Sequence, residues 1–208
     1  MTSFHFYEPK DGHGLAHNPF KAIIAPRPIG WVSSQSASGN VNLAPYSFFN
    51  AFSDTPPLLG FASNGWKDSA RNIAETGEFC WHLASRELAA QMSISSAPVA
   101  PDVDEFALAG LTPAPSRVVS VPHVAEALAV FECQLTDFVH LHDRSGAEVP
   151  TWLVCGEVVG VHIHTSLIVD DTVQTILADP ISRAGGRDGY FGVSEDTYIS
   201  LPRPPIPE

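Results

Sequence analysis

Two runs of hydroxyl- and amide-bearing residues, Pro26–Ser34 and Asn42–Asn50, contain side chains that could bind a polar planar ligand. Their groups can donate to and accept from a heterocycle and a polyol chain. Pro45 lacks an N–H group, so it leaves backbone groups of its neighbours free for a ligand. An ordinary polar strand face is the alternative interpretation. The residues concerned are Ser33, Ser34, Asn42 and Ser47.

A second candidate site is the polar, glycine-containing segment Ser63–Asn72, which leads into residues that favour a helix. The first N–H groups of a helix and its dipole attract phosphate, and Lys67 and Ser69 add a charge and a hydroxyl. The glycine spacing of a Walker A loop is absent. The alternative is a plain helix start with Asp68 or Ser69 as N-cap.

Two His-x-His tripeptides, His140–His142 and His162–His164, could each chelate a metal, because residues two apart on a strand share a face. No carboxylate follows either pair at a recognisable ligand spacing, so solvated histidines at strand ends are the preferred interpretation. We therefore expect no metal site here.

Near the C-terminus, Arg183 and Tyr190 flank a glycine-rich bend that would let the backbone approach a ligand closely. A flexible loop before the proline-rich tail Leu201–Glu208 is the alternative.

The overall charge limits the class of partner. The 208 residues carry a formal charge of −12, which repels nucleic acid and anionic lipid surfaces. Neither a signal peptide nor a membrane span is apparent, so we expect a cytoplasmic protein. The three cysteines lie apart in apolar runs and are interpreted as small core residues: Cys80, Cys133 and Cys155.

Frequent prolines and glycines predict many short strands joined by turns, with a few inserted helices. We predict a hairpin of Ile29–Gln35 with Val41–Phe52, and a second of Ala127–His142 with Thr151–His164. On Ala127–His142, alternation places Glu132 on the polar face. Further predictions are strands Leu58–Ala62 and Glu78–Leu83 and helices Ala70–Thr76, Ser85–Met92 and Asp104–Leu108. These elements favour a small antiparallel barrel.

Taken together, the ordered motifs resemble the flavin reductase-like, FMN-binding split-barrel family, which includes flavoredoxins and reductase components of two-component monooxygenases. The resemblance spans about Phe20 to Tyr190. One departure is Ser69, where many relatives have threonine; the hydroxyl is retained. The matching motifs are Pro26–Ser34, Asn42–Phe49, Pro56-Pro57, Lys67–Ser69 with Asn72, Gly156–Val159, and Arg183 with Gly185-Gly186 and Tyr190.

The resemblance implies a mainly β fold with inserted helices, an antiparallel, Greek-key-like split β-barrel in which residues 1–208 form a single domain. It also implies a homodimer with flavin mononucleotide (FMN) between the subunits and its phosphate near Lys67 and Ser69. The expected FMN-binding residues are Arg27, Ser33, Ser34, Asn42, Ala44, Pro45, Tyr46, Ser47, Phe48, Ser63, Lys67, Asp68, Ser69, Asn72, Arg183 and Tyr190.

The implied activity is reduction of FMN by NADH or NADPH, with the reduced flavin passed to a monooxygenase or another acceptor. Hydride transfer belongs to the cofactors, so no protein acid, base or nucleophile is demanded. A flavoredoxin-like electron carrier, or an FMN-binding module without its own NAD(P)H site, is the alternative. A metal-dependent barrel oxygenase that uses the His-x-His pairs is a third.

Overall fold

A seven-stranded antiparallel sheet dominates the computed structural model, which describes residues 3–204. The strands in chain order are β1 (Gly30–Gln35), β2 (Val41–Tyr46), β3 (Phe49–Asp54), β4 (Pro57–Asn64), β5 (Glu78–His82), β6 (Pro113–Ala114), β7 (His123–Val124), β8 (Ala129–His142), β9 (Glu148–Ile163), β10 (Ile168–Val169), β11 (Thr172–Val173), β12 (Ile181–Arg183) and β13 (Tyr190–Gly192). The remaining strands form three small two-stranded sheets.

The large sheet curls on itself into a barrel. Its strand order is β2-β1-β5-β8-β9-β4-β3, so β2 and β3 form opposite edges. Only Ser47 and Phe48 connect these two strands, so the end of β2 and the start of β3 lie close together. Tyr46 of β2 accordingly packs on Phe61 of β4 with ring centroids 4.3 Å apart. The predicted antiparallel barrel is confirmed.

The apolar run Val41–Phe52 is two strands rather than one. β2 pairs with β1, and β3 pairs with β4. The chain bends at Ser47 and Phe48, where the Phe48 carbonyl accepts a hydrogen bond from Ala62 N–H (2.8 Å). The prediction of a single strand was wrong because the chain changes pairing partner within the run, which hydrophobicity does not reveal.

Helices fill the connections between strands. They are α1 (Phe20–Ile23), α2 (Asp68–Thr76), α3 (Ala89–Ile94) and α4 (Glu105–Ala109), with 3-10 turns at Pro9–Asp11, Thr165–Leu167, Thr175–Ala178 and Glu195–Thr197. Asp104 caps α4 by accepting hydrogen bonds from Phe106 N–H and Ala107 N–H. Gly77 and Gly110 end α2 and α4 in the left-handed conformation that glycine adopts most easily. Within residues 3–204, no helix has the length and apolar character needed to cross a membrane.

The helix predicted over Ser85–Met92 begins four residues later, at Ala89. Ser85 forms an isolated bridge with Pro180, and Arg86 N–H donates to the Asp179 carbonyl (2.9 Å). These contacts with a distant segment keep Ser85 and Arg86 out of the helix, and a turn at Glu87 and Leu88 leads into it.

Strand β1 separates two apolar clusters. Trp31 faces a cluster formed with α3 and α4, whereas Val32 faces the barrel interior together with Phe61 and Phe79. Successive side chains of a strand point to opposite faces, and here both faces are covered. Cys80 and Cys133 are buried as predicted, and Cys155 is partly buried; all three are free thiols.

Candidate functional site

A cavity of about 540 Å³ lies between strand β2, the start of α2 and the segment 95–101. Seven residues expected from the sequence line it: Asn42, Ala44, Pro45, Tyr46, Lys67, Asp68 and Ser69. Nine other lining residues were not anticipated: Trp66, Arg71, Ser95, Ser96, Ala97, Pro98, Val99, Pro101 and Glu105. The first two predicted segments therefore meet at one site.

Buried side-chain hydrogen bonds fix the start of α2 against the β1–β2 hairpin. Asn42 Nδ2 donates to Ser69 Oγ (2.7 Å), and Asn72 Nδ2 donates to Ser34 Oγ (3.3 Å). All four residues are buried. Asn42 and Ser69 line the cavity. Ser34 and Asn72 are buried next to them and do not line it.

The start of α2 has the properties of an anion site. Lys67 is the N-cap, and no side chain among the described residues 3–204 caps the helix. The predicted alternative, with Asp68 or Ser69 as N-cap, was wrong because the helix begins at Asp68 itself. Within residues 3–204, Lys67 forms no ion pair, whereas Arg71 pairs with Asp68. The helix dipole and the Lys67 ammonium therefore act on the same end of the cavity.

Two buried polar atoms beside this site have no hydrogen-bond partner among the described residues: the Tyr46 hydroxyl and Asn72 Oδ1. Tyr46 is only 7% exposed, and burial raises the pKa of its phenol. A buried polar group without a partner is unfavourable, and most such groups in folded proteins are paired. Tyr46 is a lining residue of the cavity, but its ring packs on Phe61 in the barrel interior and its hydroxyl is buried there.

Glu105 is a buried carboxylate in the cavity wall that sequence reasoning missed. Its Oε2 accepts a hydrogen bond from Leu43 N–H of the edge strand β2 (3.1 Å). Burial raises the pKa of Glu105, and the nearby charge of Asp68 acts in the same direction. Glu105 comes directly after the Asp104 cap, but the capping pattern does not show what the carboxylate contacts.

The segment Ser95–Pro101 forms the opposite wall and was also missed. Ser95 is buried, where its Oγ accepts from Trp31 Nε1 (3.0 Å) and donates to the Met92 carbonyl (2.8 Å). Small residues and prolines in the sequence indicate a loop there. Nothing in that composition indicates that the loop covers β2.

Arg27, Arg183 and Tyr190 lie outside the cavity, so the structure does not bring them together with Lys67. Arg27 is buried and donates to the carbonyls of Lys21, Ile24 (2.8 Å) and Ala184. Burial lowers the pKa of Arg27, and the charge of Arg183 adds to this effect.

Arg183 donates to the Gly189 carbonyl (3.0 Å) and lies 4.7 Å from the centre of the Tyr190 ring. Both arginines are thus engaged in holding the C-terminal segment. Their predicted contact with a cofactor stays a prediction.

The other predicted residues surround β2. Ser33 Oγ donates to the Pro122 carbonyl (2.7 Å), away from the cavity, and Ser63 Oγ donates to the Gly65 carbonyl (2.9 Å). Ser47 and Phe48 form the bend after β2, where Phe48 is 39% exposed. The guanidinium of Arg27 lies 6.0 Å from the Phe48 ring centre.

The histidine pairs are engaged in other contacts. His140 stacks on Trp152 with ring centroids 4.5 Å apart, and His164 caps the 3-10 turn that follows it. His162 binds Glu132, which also accepts from three backbone N–H groups of residues 117–119.

Glu132 is fully buried, which contradicts its predicted place on the polar face of β8. Burial alone would raise the pKa of Glu132, but the hydrogen bonds from His162 and the three amides lower it to about 2. Within residues 3–204, no three His, Cys, Asp or Glu side chains form a group suited to a metal ion.

Comparison with known sequences identifies relatives along most of the chain. The chain is 36% identical over 188 residues to an uncharacterized protein of Halalkalibacterium halodurans, covering 88% of each chain. It is 36% identical over 186 residues to the uncharacterized protein YwrF of Bacillus subtilis, covering 86% of this chain and 89% of YwrF.

Solved structures share the fold. Nitrilotriacetate monooxygenase component B from Bacillus cereus is 30% identical with a TM-score of 0.85, and 96% of this chain aligns with 100% of that one. The 2-nitrobenzoate 2-nitroreductase NbaA of Pseudomonas fluorescens is 27% identical with a TM-score of 0.77, covering 88% of each chain. The flavoredoxin of Desulfovibrio vulgaris, 22% identical with a TM-score of 0.74 over 85% of this chain and 91% of the flavoredoxin, is similar in fold.

The family model described as the flavin reductase like domain matches residues 24–174. That range contains the whole seven-stranded sheet and the cavity beside it. This protein therefore belongs to the flavin reductase-like, split-barrel family.

Proposed function

We propose that this protein binds FMN in the cavity and catalyses its reduction by NADH or NADPH. The phosphate of FMN would lie at the start of α2 against Lys67 and Ser69. The ribityl chain and ring would follow β2 over Ala44–Phe48. The single observation that carries the proposal is a helix start that, within residues 3–204, has no side-chain cap and lies beside an ammonium group without an ionic partner, in the cavity of a flavin reductase-like protein.

The residues present fit FMN. The phosphate needs N–H donors and positive charge, which the first turn of α2 and Lys67 supply. A polyol needs polar partners, and the side chains of Asn42 and Ser69 line the same cavity. Pro45 lies on the edge strand, where the adjacent backbone groups can hydrogen-bond a planar ring.

When bound, FMN supplies the redox chemistry, by taking up a hydride from the reduced nicotinamide and passing two electrons on. The protein's task is to hold the phosphate, orient the ring along β2 and limit access of water. The bonds from Asn42 to Ser69 and from Asn72 to Ser34 keep strand and helix at a fixed separation.

The activity is tested by anaerobic mixing of FMN-loaded protein with NADH and, separately, with NADPH. We expect at least one nucleotide to bleach the flavin's visible absorbance faster than it bleaches free FMN at the same concentration. Equal rates with and without protein would contradict the reductase proposal. Reduction by a protein partner but by neither nucleotide would favour the electron-carrier alternative.

We further propose that the protein is a cytoplasmic homodimer and passes reduced flavin to a monooxygenase component or another acceptor. The family membership supports the reductase side of such a pair. Co-purification and turnover with a candidate monooxygenase would test the transfer.

A further inference from the structure

Trp66 is an exposed aromatic residue at the edge of the cavity, and its role is not explained by FMN binding alone. The residue is 50% exposed and lines the cavity directly before Lys67. Phe138 and Trp152 pack against it edge to face, with ring centroids 5.5 and 5.3 Å away and interplanar angles of 65° and 69°. These contacts hold the indole in place without covering both of its faces.

The indole therefore has the properties of a stacking platform. Among residues 3–204, no other ring lies parallel to Trp66; by contrast, His140 lies parallel to Trp152 at 7°. Exposing half of a tryptophan to water is unfavourable, and a stacked aromatic ligand would bury it.

The surrounding charges favour a ligand that carries phosphate. Lys67 follows Trp66 directly, and Arg71 lies one helical turn further on. The two cations offset the carboxylates of Asp68 and Glu105, so the formal charge of the cavity is zero in a chain whose total is −12. Lys67 forms no ion pair within residues 3–204, so it remains available to an anion.

We propose that Trp66 stacks on the adenine ring of a dinucleotide whose adenosine phosphate lies against Arg71, while Lys67 holds the phosphate of the flavin. The proposal rests on the proposed function, because the adenine belongs to FAD or to NAD(P)H. An adenine nucleotide matches both features of the site. It carries a flat aromatic ring that can stack on the indole and, one ribose away, phosphates that can bind the cations. Base–aromatic stacking tolerates any base with an open face, so Trp66 would supply affinity and the cations would supply position.

The direct test uses ADP, which needs neither flavin nor turnover. We expect the wild-type protein to bind ADP by calorimetry and Trp66→Ala to raise its dissociation constant at least about 5-fold, the lower end of the range for one lost stacking contact. Trp66→Phe should retain most of the affinity. Phe191→Ala is the matched control, because Phe191 is 52% exposed and lies outside the cavity. Absence of ADP binding to the wild type, or equal affinity in Trp66→Ala, would overturn the proposal.

Two further measurements identify the source of the adenine. If it belongs to FAD, Trp66→Ala lowers the ratio of FAD to FMN affinity. If it belongs to NADH, the variant raises KM for NADH more than KM for reduced nicotinamide mononucleotide, which lacks the adenosine half. Equal loss of FMN and FAD affinity, or dissociation of a wild-type dimer in Trp66→Ala, would assign Trp66 to the flavin site or to a subunit interface and overturn the proposal. Failure of FMN reduction with ADP binding intact would contradict only the proposed function.

Discussion

Lys67 is the residue on which the proposed phosphate site depends most. We predict that Lys67→Ala weakens FMN binding by about 1.5–3 kcal/mol, or roughly 10- to 150-fold in Kd, the range for a charge-assisted hydrogen bond. Titration of the apoprotein with FMN measures the change. Lys10→Ala is the control, because it removes the same charge from an exposed pair with Glu8. An unchanged Kd in Lys67→Ala would contradict the placement of the phosphate.

His82 links the barrel's stability to pH. The ring is fully buried; Nδ1 lies 3.0 Å from the Trp31 carbonyl, and Nε2 accepts from Val124 N–H (3.1 Å). The acceptor role of Nε2 requires the neutral ring. Burial lowers the pKa of His82 to about 3. The unfolded chain therefore binds a proton at a higher pH than the folded protein does, and acid favours unfolding.

We predict that this histidine's contribution to stability is complete above the unfolded pKa of about 6.5 and decreases by about 1.4 kcal/mol per pH unit as the pH falls towards 3. His82→Gln should remove this part of the slope. Urea unfolding of both proteins between pH 7 and about 4.5 measures it. His5→Gln, at an exposed position, should retain the wild-type slope. Parallel curves for wild type and His82→Gln would refute the assignment.

At the residue scale, the sequence predicted the residues of the cavity better than the contacts of Arg27 and Arg183. Serine, asparagine and lysine types near β2 and α2 pointed to the site because they are local to its two segments. Arg27 binds backbone carbonyls at residues 21, 24 and 184, and only the folded chain brings the last of these near it. Trp66 and Glu105 acquire their roles from neighbours distant in sequence in the same way.

At the scale of elements, α4 acts as a clamp on the edge strand β2. The Glu105 carboxylate covers Leu43 N–H, an edge group that would otherwise lack a partner in the sheet. We predict that Glu105→Ala lowers the free energy of unfolding by about 1–3 kcal/mol, because a buried donor loses its acceptor. Glu105→Gln keeps an acceptor oxygen and should lose less than half as much.

Urea unfolding at neutral pH measures both variants. Glu87→Ala, which removes an exposed carboxylate outside the cavity, serves as the control. If Glu105→Ala and Glu87→Ala are equally stable, the clamp is not a source of stability.

Element boundaries were predictable where local chemistry sets them. Asp104 and Gly110 bound α4, and Gly77 ends α2, because capping depends on neighbouring residues. The break after Tyr46 was not predictable, because pairing of β3 with β4 rather than with β1 is decided across the sheet. Glu132 was misplaced for the same reason: the segment 117–119 that covers it is distant in sequence.

At the scale of the whole molecule, the proposed anionic ligands must bind a chain of charge −12. The cavity meets this requirement locally, because Lys67 and Arg71 balance its two carboxylates and the dipole of α2 adds to the Lys67 charge. Long-range repulsion and short-range attraction thus act on the same ligand, so raising the salt concentration would weaken both.

The edge strand β3 is the part of the barrel best suited to a subunit interface. Phe52 is 56% exposed on this strand, and Phe48, in the bend before it, is 39% exposed. β3 pairs with β4 alone, so its other side has backbone groups without partners in the sheet. Such edges and exposed aromatic residues are favourable sites of association. The same bend adjoins β2, so an interface there would border the proposed flavin site.

We therefore predict a homodimer that buries Phe52, and we expect Phe52→Glu to weaken dimerisation at least about 10-fold, because a charge in an apolar interface loses its hydration without gaining a partner. Sedimentation velocity over a dilution series, with and without FMN, measures the dimer dissociation constant. Tyr198→Glu introduces the same charge at a residue that is 69% exposed and outside the sheet, and it should leave association unchanged. A wild-type protein that binds FMN as a monomer at every concentration would rule out both the dimer and a flavin site shared between subunits. If the wild type is dimeric and Phe52→Glu dimerises equally well, the subunits associate through another face, because a glutamate could not be buried at the centre of the β3 edge without weakening the contact.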